Sequence, residues 1–407
     1  MRSSSVSFAS DFDALVVSAT TDRGGLRLLV LAHIVNDLNQ SAIPAIIPFL
    51  VLQRHMSLAA AGTLTLAMNL SSSIVQPLFG HWSDKRSLAW VIPVALVFAG
   101  VGTACIGIAP QYWMALIAAL IAGIGVAAFH PEGSRYANYF SGAKRAVGMG
   151  WFTLGGYAGF ALGPLLITPL LLVFGLPGTI YIAIPGVLLA LFMISALGRF
   201  ERARDAVHRL HVTRTYHDDW PAFRLLSITV ALRSTAFLAA VTFLPIFALR
   251  QVHTSTSVAN ILLSAMLFAG GAGTILGGRL GEQVDRRTLV TVSMFAAAVV
   301  ALGITMFGSL SVWLLLALAI AYGMSLGLSA STVVVLGQEY LPGRIGVASG
   351  VTLGLAVTIG GLLAPVFGHI GDTFGTRAIF ETIVACAAIT GLVSLTLRRP
   401  SGQLGKS

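Results

Sequence analysis

Apolar residues gather along this chain into twelve runs of roughly twenty, separated by short polar breaks. The runs cover 26–52, 58–80, 88–109, 111–139, 146–174, 178–197, 223–249, 258–281, 288–308, 312–338, 346–370 and 376–397. A helix of that length crosses the hydrocarbon of a bilayer. Membrane barrel strands are about half as long and alternate, so a barrel is excluded. The pattern predicts an all-α membrane protein with twelve transmembrane helices. The one long polar break, 198–222, is expected to be a solvated linker. It divides a six-helix bundle at 26–197 from a second at 223–397, with tails at 1–25 and 398–407.

The two halves repeat. Arg27-Leu28-Leu29 and Pro48 recur as Arg224-Leu225-Leu226 and Pro245. Gly80-x-Trp82-x-Asp84-Lys85 recurs as Gly278-x-Leu280-x-Glu282-Gln283, and Arg145 with Thr153-Leu154-Gly155 as Arg344 with Thr352-Leu353-Gly354. Three matches in order at a nearly constant offset imply pseudo-symmetric halves. Secondary transporters built this way bind their substrates near the midplane, between the repeats.

Polar positions inside the runs are few and informative. The first run carries His33, Asn36, Asp37, Asn39, Gln40 and Ser41. A carboxylate at the bilayer centre costs roughly 2.5–3.5 kcal/mol, and each Leu or Ile returns only about 0.3–0.6. His33, Asp37, Gln40 and Pro44 share one helical face, which must look at water or protein. Of the 15 acidic residues only Asp37 and Glu132 lie well inside a run, which makes them the candidates for holding a transported proton. The repeat offset sets Arg233 opposite Asn36, so Asp37 and Arg233 are expected to face each other across a central cavity in a pairing that changes with state; a permanent ion pair, or a hydrogen-bonded Asp, holding the two helices together is the bland alternative. His130, Arg135, Asn69, Gln76 and Tyr157 are further candidates for contacting substrate, though helix packing and a span-end Glu132–Arg135 pair explain some of them equally well. Glycines recur every fourth residue at Gly155, Gly159, Gly163, at Gly273, Gly277, Gly281 and at Gly346, Gly350, Gly354. Such stripes permit close helix approach, either as static packing or as a sliding contact between halves.

Composition agrees: 56% of residues are hydrophobic and 10% charged. The net charge of +10 is a matter of topology, not of nucleic acid. Of the 25 Lys and Arg, only Arg54, Arg250 and Arg377 fall on one side and Arg233 within a span. The excess on the other side puts both termini in the cytosol. Residues 1–24 lack the apolar core of a signal peptide. Cys105 and Cys386 sit in apolar runs as packing residues, and no metal or cofactor site is expected. Gly323-x-Ser325-x-Gly327 lies inside an apolar helix, not at a strand-to-helix elbow. No P-loop, Rossmann or H-E-x-x-H pattern is present, so neither an enzyme nor an ATP-driven pump is expected.

The chain resembles the major facilitator superfamily, and within it the fosmidomycin-resistance group of drug exporters. The resemblance rests on Ala32-His33-x-x-Asn36-Asp37, Gln76-Pro77-x-x-Gly80, Phe129-His130-Pro131-Glu132-Gly133-Ser134-Arg135 and Gly155-Gly156 with Gly163-Pro164-Leu165. Gly80–Arg86 and its echo Gly278–Arg287 resemble the superfamily's loop motif. The resemblance implies a conformational latch at Gly80, Asp84, Lys85, Arg145, Gly278, Asp285 and Arg286, and an antiporter-type packing motif at Gly159, Gly163 and Pro164. It also implies a monomeric, inner-membrane exporter that exchanges a small drug-like or anionic compound for protons. Uptake or facilitated diffusion of an organic anion or sugar is the alternative. A receptor on a transporter scaffold is the alternative from another class.

Overall fold

The structure, a computed structural model, describes residues 21–85, 88–142, 145–207, 218–342, 344, 347–348, 351–352 and 361–398, without the side chains of 72–75, 77, 80–81, 83–85, 145–147 and 205–207. Regular structure among these residues is helical. In chain order the helices are α1 (Arg23–Arg54), α2 (Leu58–Lys85), α3 (Val91–Ile108), α4 (Tyr112–Ser141), α5 (Arg145–Phe174), α6 (Ala183–Val207, after a 3-10 segment Leu176–Ile182), α7 (Trp220–Gln251), α8 (Thr256–Gln283), α9 (Arg286–Phe307), α10 (Val312–Tyr340), α11 (Ala364–Phe374) and α12 (Thr376–Ser394). Ten described helices are long and apolar enough to cross a membrane. The other two, α2 and α11, stand where the second and eleventh spans are expected.

The duplication extends to the helix caps. Asp22 caps α1 by accepting from Gly25 N at 3.0 Å, and Asp219 caps α7 by accepting from Ala222 N at 3.0 Å. Each side chain satisfies one of the orphan donors of a helix start. Backbone N–H groups of the same two aspartates donate to the ends of α4 (Phe140) and α10 (Tyr340). Arg199 of α6 pairs with Asp22. Burial opposes ionisation of Asp22, but hydrogen bonds from Arg199 and Gly25 outweigh it and hold the carboxyl below its ordinary range.

The sixth helix corrects the expected linker. Residues 198–207 continue α6, because Phe200 is buried against Tyr136 and Phe140 and the Arg and Glu around it are good helix formers. The break between the halves therefore narrows to 208–219, of which 208–217 lie outside the described residues.

α1 and α7 are the innermost helices. Lipid-facing stripes run along α3 (Val94, Phe98, Val101), α6 (Leu188, Leu191, Phe192) and α9 (Val292, Val299, Leu302). The glycine stripes work within halves rather than between them. On α5, Gly155 lies against the Val30 carbonyl, Gly159 against Ile34 and Gly163 against Leu38, all on α1. On α8, Gly273 and Gly277 lie against Met324 and Leu328 of α10. Pro164 stays in α5, its carbonyl taken by Thr168. Gly346, Gly350 and Gly354 lie outside the described residues.

The halves meet unevenly. At the face opposite the termini, Ile47, Leu58, Ala61 and Ala161 join one apolar cluster with Phe243, Phe247 and Leu263 of the second half. Toward the terminal face each half keeps its own cluster, around Phe140 and Phe200 in one and around Phe223 and Tyr340 in the other. Hydrogen bonds follow the same division. Asp372, at the end of α11, accepts from Leu58 N and Ala59 N at 2.9 Å each, capping α2 across the interface. Asn260 of α8 donates to Ala45 O and Thr168 Oγ1 at 3.0 and 2.8 Å. Thr242 and Thr65 meet at 3.4 Å. The two halves are thus closed together at the opposite face. Loss of an N-cap costs about 1 kcal/mol, which is about fivefold in an equilibrium. In a Thr242→Cys background, Asp372→Ala is expected to speed labelling by a membrane-impermeant maleimide by about that factor; an unchanged rate would show that Asp372 does not hold this face shut.

Candidate functional site

Asp37 lies at mid-depth in α1, 5% exposed. Asn36 and Arg233 each stand thirteen residues past the first residue of their helices, Arg23 and Trp220, so the repeat sets the two halves' polar groups level. Helical spacing brings His33 beneath Asp37, with Nε2 3.2 Å from Oδ2. His130 of α4 approaches from the other side, its Nε2 3.6 Å from Oδ1. Asn36 donates to Oδ1 at 3.1 Å. His33 is itself held by α5: Nδ1 is 2.7 Å from the Phe152 carbonyl, and its ring stacks on Phe152 with centroids 4.0 Å apart. Phe129 closes another side at 5.5 Å. Gly156 completes the wall, since a Cβ there would stand 2.7 Å from His33 Nε2 and 2.8 Å from Asp37 Oδ2.

The donor atoms of His33, Asp37 and His130 all lie within 4.8 Å of one another. With both imidazoles neutral, the cluster carries the single negative charge of the Asp37 carboxylate. No Lys or Arg pairs with Asp37 among the described residues.

In this arrangement Arg233 is not paired with Asp37. Its Nε donates to Ser329 Oγ at 2.9 Å and its Nη2 to the Leu326 carbonyl at 2.7 Å, both on α10. Among the described residues it has no carboxylate partner, so its charge is solvated by neutral oxygens alone. Tyr157 of α5 stands within electrostatic range of both Arg233 and Asp37. Its hydroxyl is hydrogen-bonded to Thr274 of α8 at 2.9 Å, so it bridges the halves.

Other candidates spread along the same axis. Gln40 and Asn69 line a small cavity with Thr65, Phe160, Leu238 and Val241, on the opposite-face side of Asp37. Asn69 Nδ2 donates to its own helix at Thr65 O. Gln76 is half-buried farther along α2. Glu132 is buried and stands apart from the Asp37 cluster, 3.6 Å from Arg135 one turn on. The second-half copy of the loop motif is built from Asp285, which caps α9 and pairs with Arg287 at 2.6 Å, and from Arg286, which pairs with Glu339 at 2.6 Å. A Cβ at Gly278 would meet Ser331 Oγ at 3.5 Å among the described residues. In the first-half copy, the side chains of Asp84, Lys85 and Arg145 and the surroundings of Gly80 lie outside the described residues. Sequence reading missed Phe152, Thr274, Ser329, Glu339 and Asp372. All five act through a backbone carbonyl, a hydroxyl or a span end, which have no signature in a hydropathy pattern.

A family model described as Major Facilitator Superfamily matches residues 29–365. The chain belongs to that superfamily, and it is a multi-pass membrane transporter rather than an enzyme. It is similar to the fosmidomycin resistance protein of Escherichia coli (strain K12), 30% identical over 396 residues that cover 96% of each chain. It is also similar to an uncharacterised MFS-type transporter of Bacillus subtilis (strain 168), 29% identical over 93% of each chain. Among solved structures it resembles a bacterial homologue of the human lysosomal transporter Spinster in an inward-facing and occupied conformation. That match has a TM-score of 0.74 and 19% identity, over 92% of this chain and 96% of that one. A D-xylose–proton symporter matches with a TM-score of 0.72 and 13% identity, over 92% and 97%. These structural matches establish the fold alone.

Gly156→Val would push a side chain into the His33–Asp37 contact. Overpacking of this kind costs about 1–3 kcal/mol, and the thermal midpoint of the purified protein is expected to fall. Gly150→Ala, where a Cβ meets nothing within 4 Å, is expected to leave it unchanged.

Proposed function

We propose that this transporter exports a small drug-like or anionic, fosmidomycin-like compound in exchange for protons, by alternating access across a bacterial inner membrane. The observation that carries this reading is the division of charge at mid-depth. Among the described residues, one half holds a buried carboxylate whose partners are two imidazoles and the Asn36 amide, and the other holds a guanidinium partnered by neutral oxygens. A group that gains and loses a proton belongs on the first; an anion belongs on the second. The name of the Escherichia coli relative supports a fosmidomycin-like substrate. Asp37 carries the proton, with Glu132 as a second acid. Arg233, Tyr157, His130, Arg135, Asn36, Gln40, Asn69 and Gln76 face the substrate path. The protein works as a monomer with both termini in the cytosol, and the two loop motifs latch the terminal face when the opposite face opens.

The test uses acid-loaded inverted membrane vesicles. Fosmidomycin is expected to collapse the pH gradient in wild type and not in Asp37→Asn. Collapse in both would move the proton site to Glu132, and no response in wild type to fosmidomycin or an antibiotic panel would sink proton-driven drug export. Losing a charge-assisted bond costs about 1.5–3 kcal/mol, so Arg233→Gln is expected to raise KM for an anionic substrate about tenfold to hundredfold.

A further inference from the structure

We infer that the coupling proton is held by His33 and Asp37 as a pair, and that the Phe152 carbonyl enforces this by locking His33 in a single tautomer. The inference rests on the reading of Asp37 as the coupling acid and adds a positioning device to it.

A carbonyl oxygen only accepts. With Nδ1 of His33 2.7 Å from Phe152 O, Nδ1 carries a hydrogen. In the neutral ring the other nitrogen is then bare. That nitrogen, Nε2, faces Asp37 Oδ2 at 3.2 Å. A bare nitrogen against an ionised carboxylate sets two acceptors together without a donor, and a buried, low-dielectric setting amplifies the repulsion. The contact therefore holds one proton. It resides on Nε2 beside an ionised Asp37, or on the Asp37 carboxyl, which then donates to Nε2.

The ring cannot escape by turning. A flip swaps Nδ1 for a carbon and gives up the bond to Phe152, and Gly156 is closely packed against the pair. When the proton leaves, His33 keeps its bond to Phe152 and Asp37 is the group that must move. The charged and titratable groups around the pair give it somewhere to go. His130 faces it from α4. Tyr157 reaches it from α5, and Arg233 of α7 lies in range of Tyr157. Asn36 donates to Asp37 from α1 itself. The His130 side chain is 25% exposed against 8% for His33 and 7% for Asp37, so His130 is the most open member of the cluster. Glu132, two residues beyond it, is engaged with Arg135. Proton loss thus converts a buried pair into a free carboxylate at the cavity wall.

The test is nitrogen NMR of 15N-histidine-labelled protein in lipid bilayers, with His33 assigned by difference from His33→Gln. The expected result has two parts. Nδ1 of His33 stays protonated at every pH, and the Nε2 resonance changes with pH in wild type along a profile that Asp37→Asn displaces. A His33 that is protonated on Nε2 and bare on Nδ1 at high pH would overturn the inference. So would an Nε2 signal that ignores Asp37→Asn. Because the spectra need no substrate, the two readings fail separately. A locked, titrating His33 in a protein without drug-driven proton movement sinks antiport alone; antiport with the other tautomer sinks this pairing alone.

Discussion

A charge inside a bilayer must be balanced by the protein that carries it there, because the lipid offers nothing. This single constraint explains most of what surrounds Asp37. A carboxylate on the innermost helix is hemmed by two imidazoles, an asparagine amide and two phenylalanine rings. An arginine would have balanced it permanently. Histidines balance it only while a proton is present, so charge compensation becomes conditional. Arg233 is treated in the complementary way. It is placed level with Asp37 but tied to Ser329 and Leu326, which stabilise a cation without neutralising it.

The scaffold turns that local condition into a difference between two faces. Each half is welded internally by glycine-to-backbone contacts, α5 on α1 and α8 on α10, so each moves as a block. Between the halves, α5 packs on α8 and α2 on α11, where Gly62 and Gly368 meet the backbone of the facing helix. The Asp372 clamp on α2, the Asn260 fork and the Thr65–Thr242 contact all have to break together for that face to open. Tyr157 and Thr274 join the halves nearer the site itself. On the proposed reading, a proton-loaded pair goes with the closed opposite face. By linkage, each then favours the other.

The fold was legible in the sequence because lipid enforces a coarse rule: apolar runs of about twenty residues have few alternatives to helices. The repeat was legible because the offset between the halves drifts by only two residues, from 197 at Arg27 and Arg224 to 199 at Arg145 and Arg344, which left the Asp22 and Asp219 caps in register. The glycine stripes were visible but their partners were not; spacing gives a face and not what lies on it. They proved to bind α1 to α5 and α8 to α10. The end of α6 was misjudged because its charges read as solvent exposure, whereas Phe200 anchors the segment. At the site, the residues were visible but one pairing was not. Helical periodicity joined His33 to Asp37, whereas the expected partner, Arg233, is drawn off by Ser329, a residue no hydropathy pattern distinguishes from packing. The Phe152 carbonyl, which fixes the His33 tautomer, belongs to the backbone and could be found only in three dimensions.

The central claim is that proton occupancy at His33 and Asp37 favours closure of the opposite face. It is tested most directly by the distance between spin labels at Gln111 and His253, at that face on either half, in a background lacking Cys105 and Cys386 and measured in lipid across a pH series without substrate. The account predicts that raising the pH enlarges the fraction of long distances in wild type, and that Asp37→Asn, which cannot lose the charge-compensating proton, stays short throughout. A distance distribution indifferent to pH, or one that shifts equally in Asp37→Asn, would contradict it.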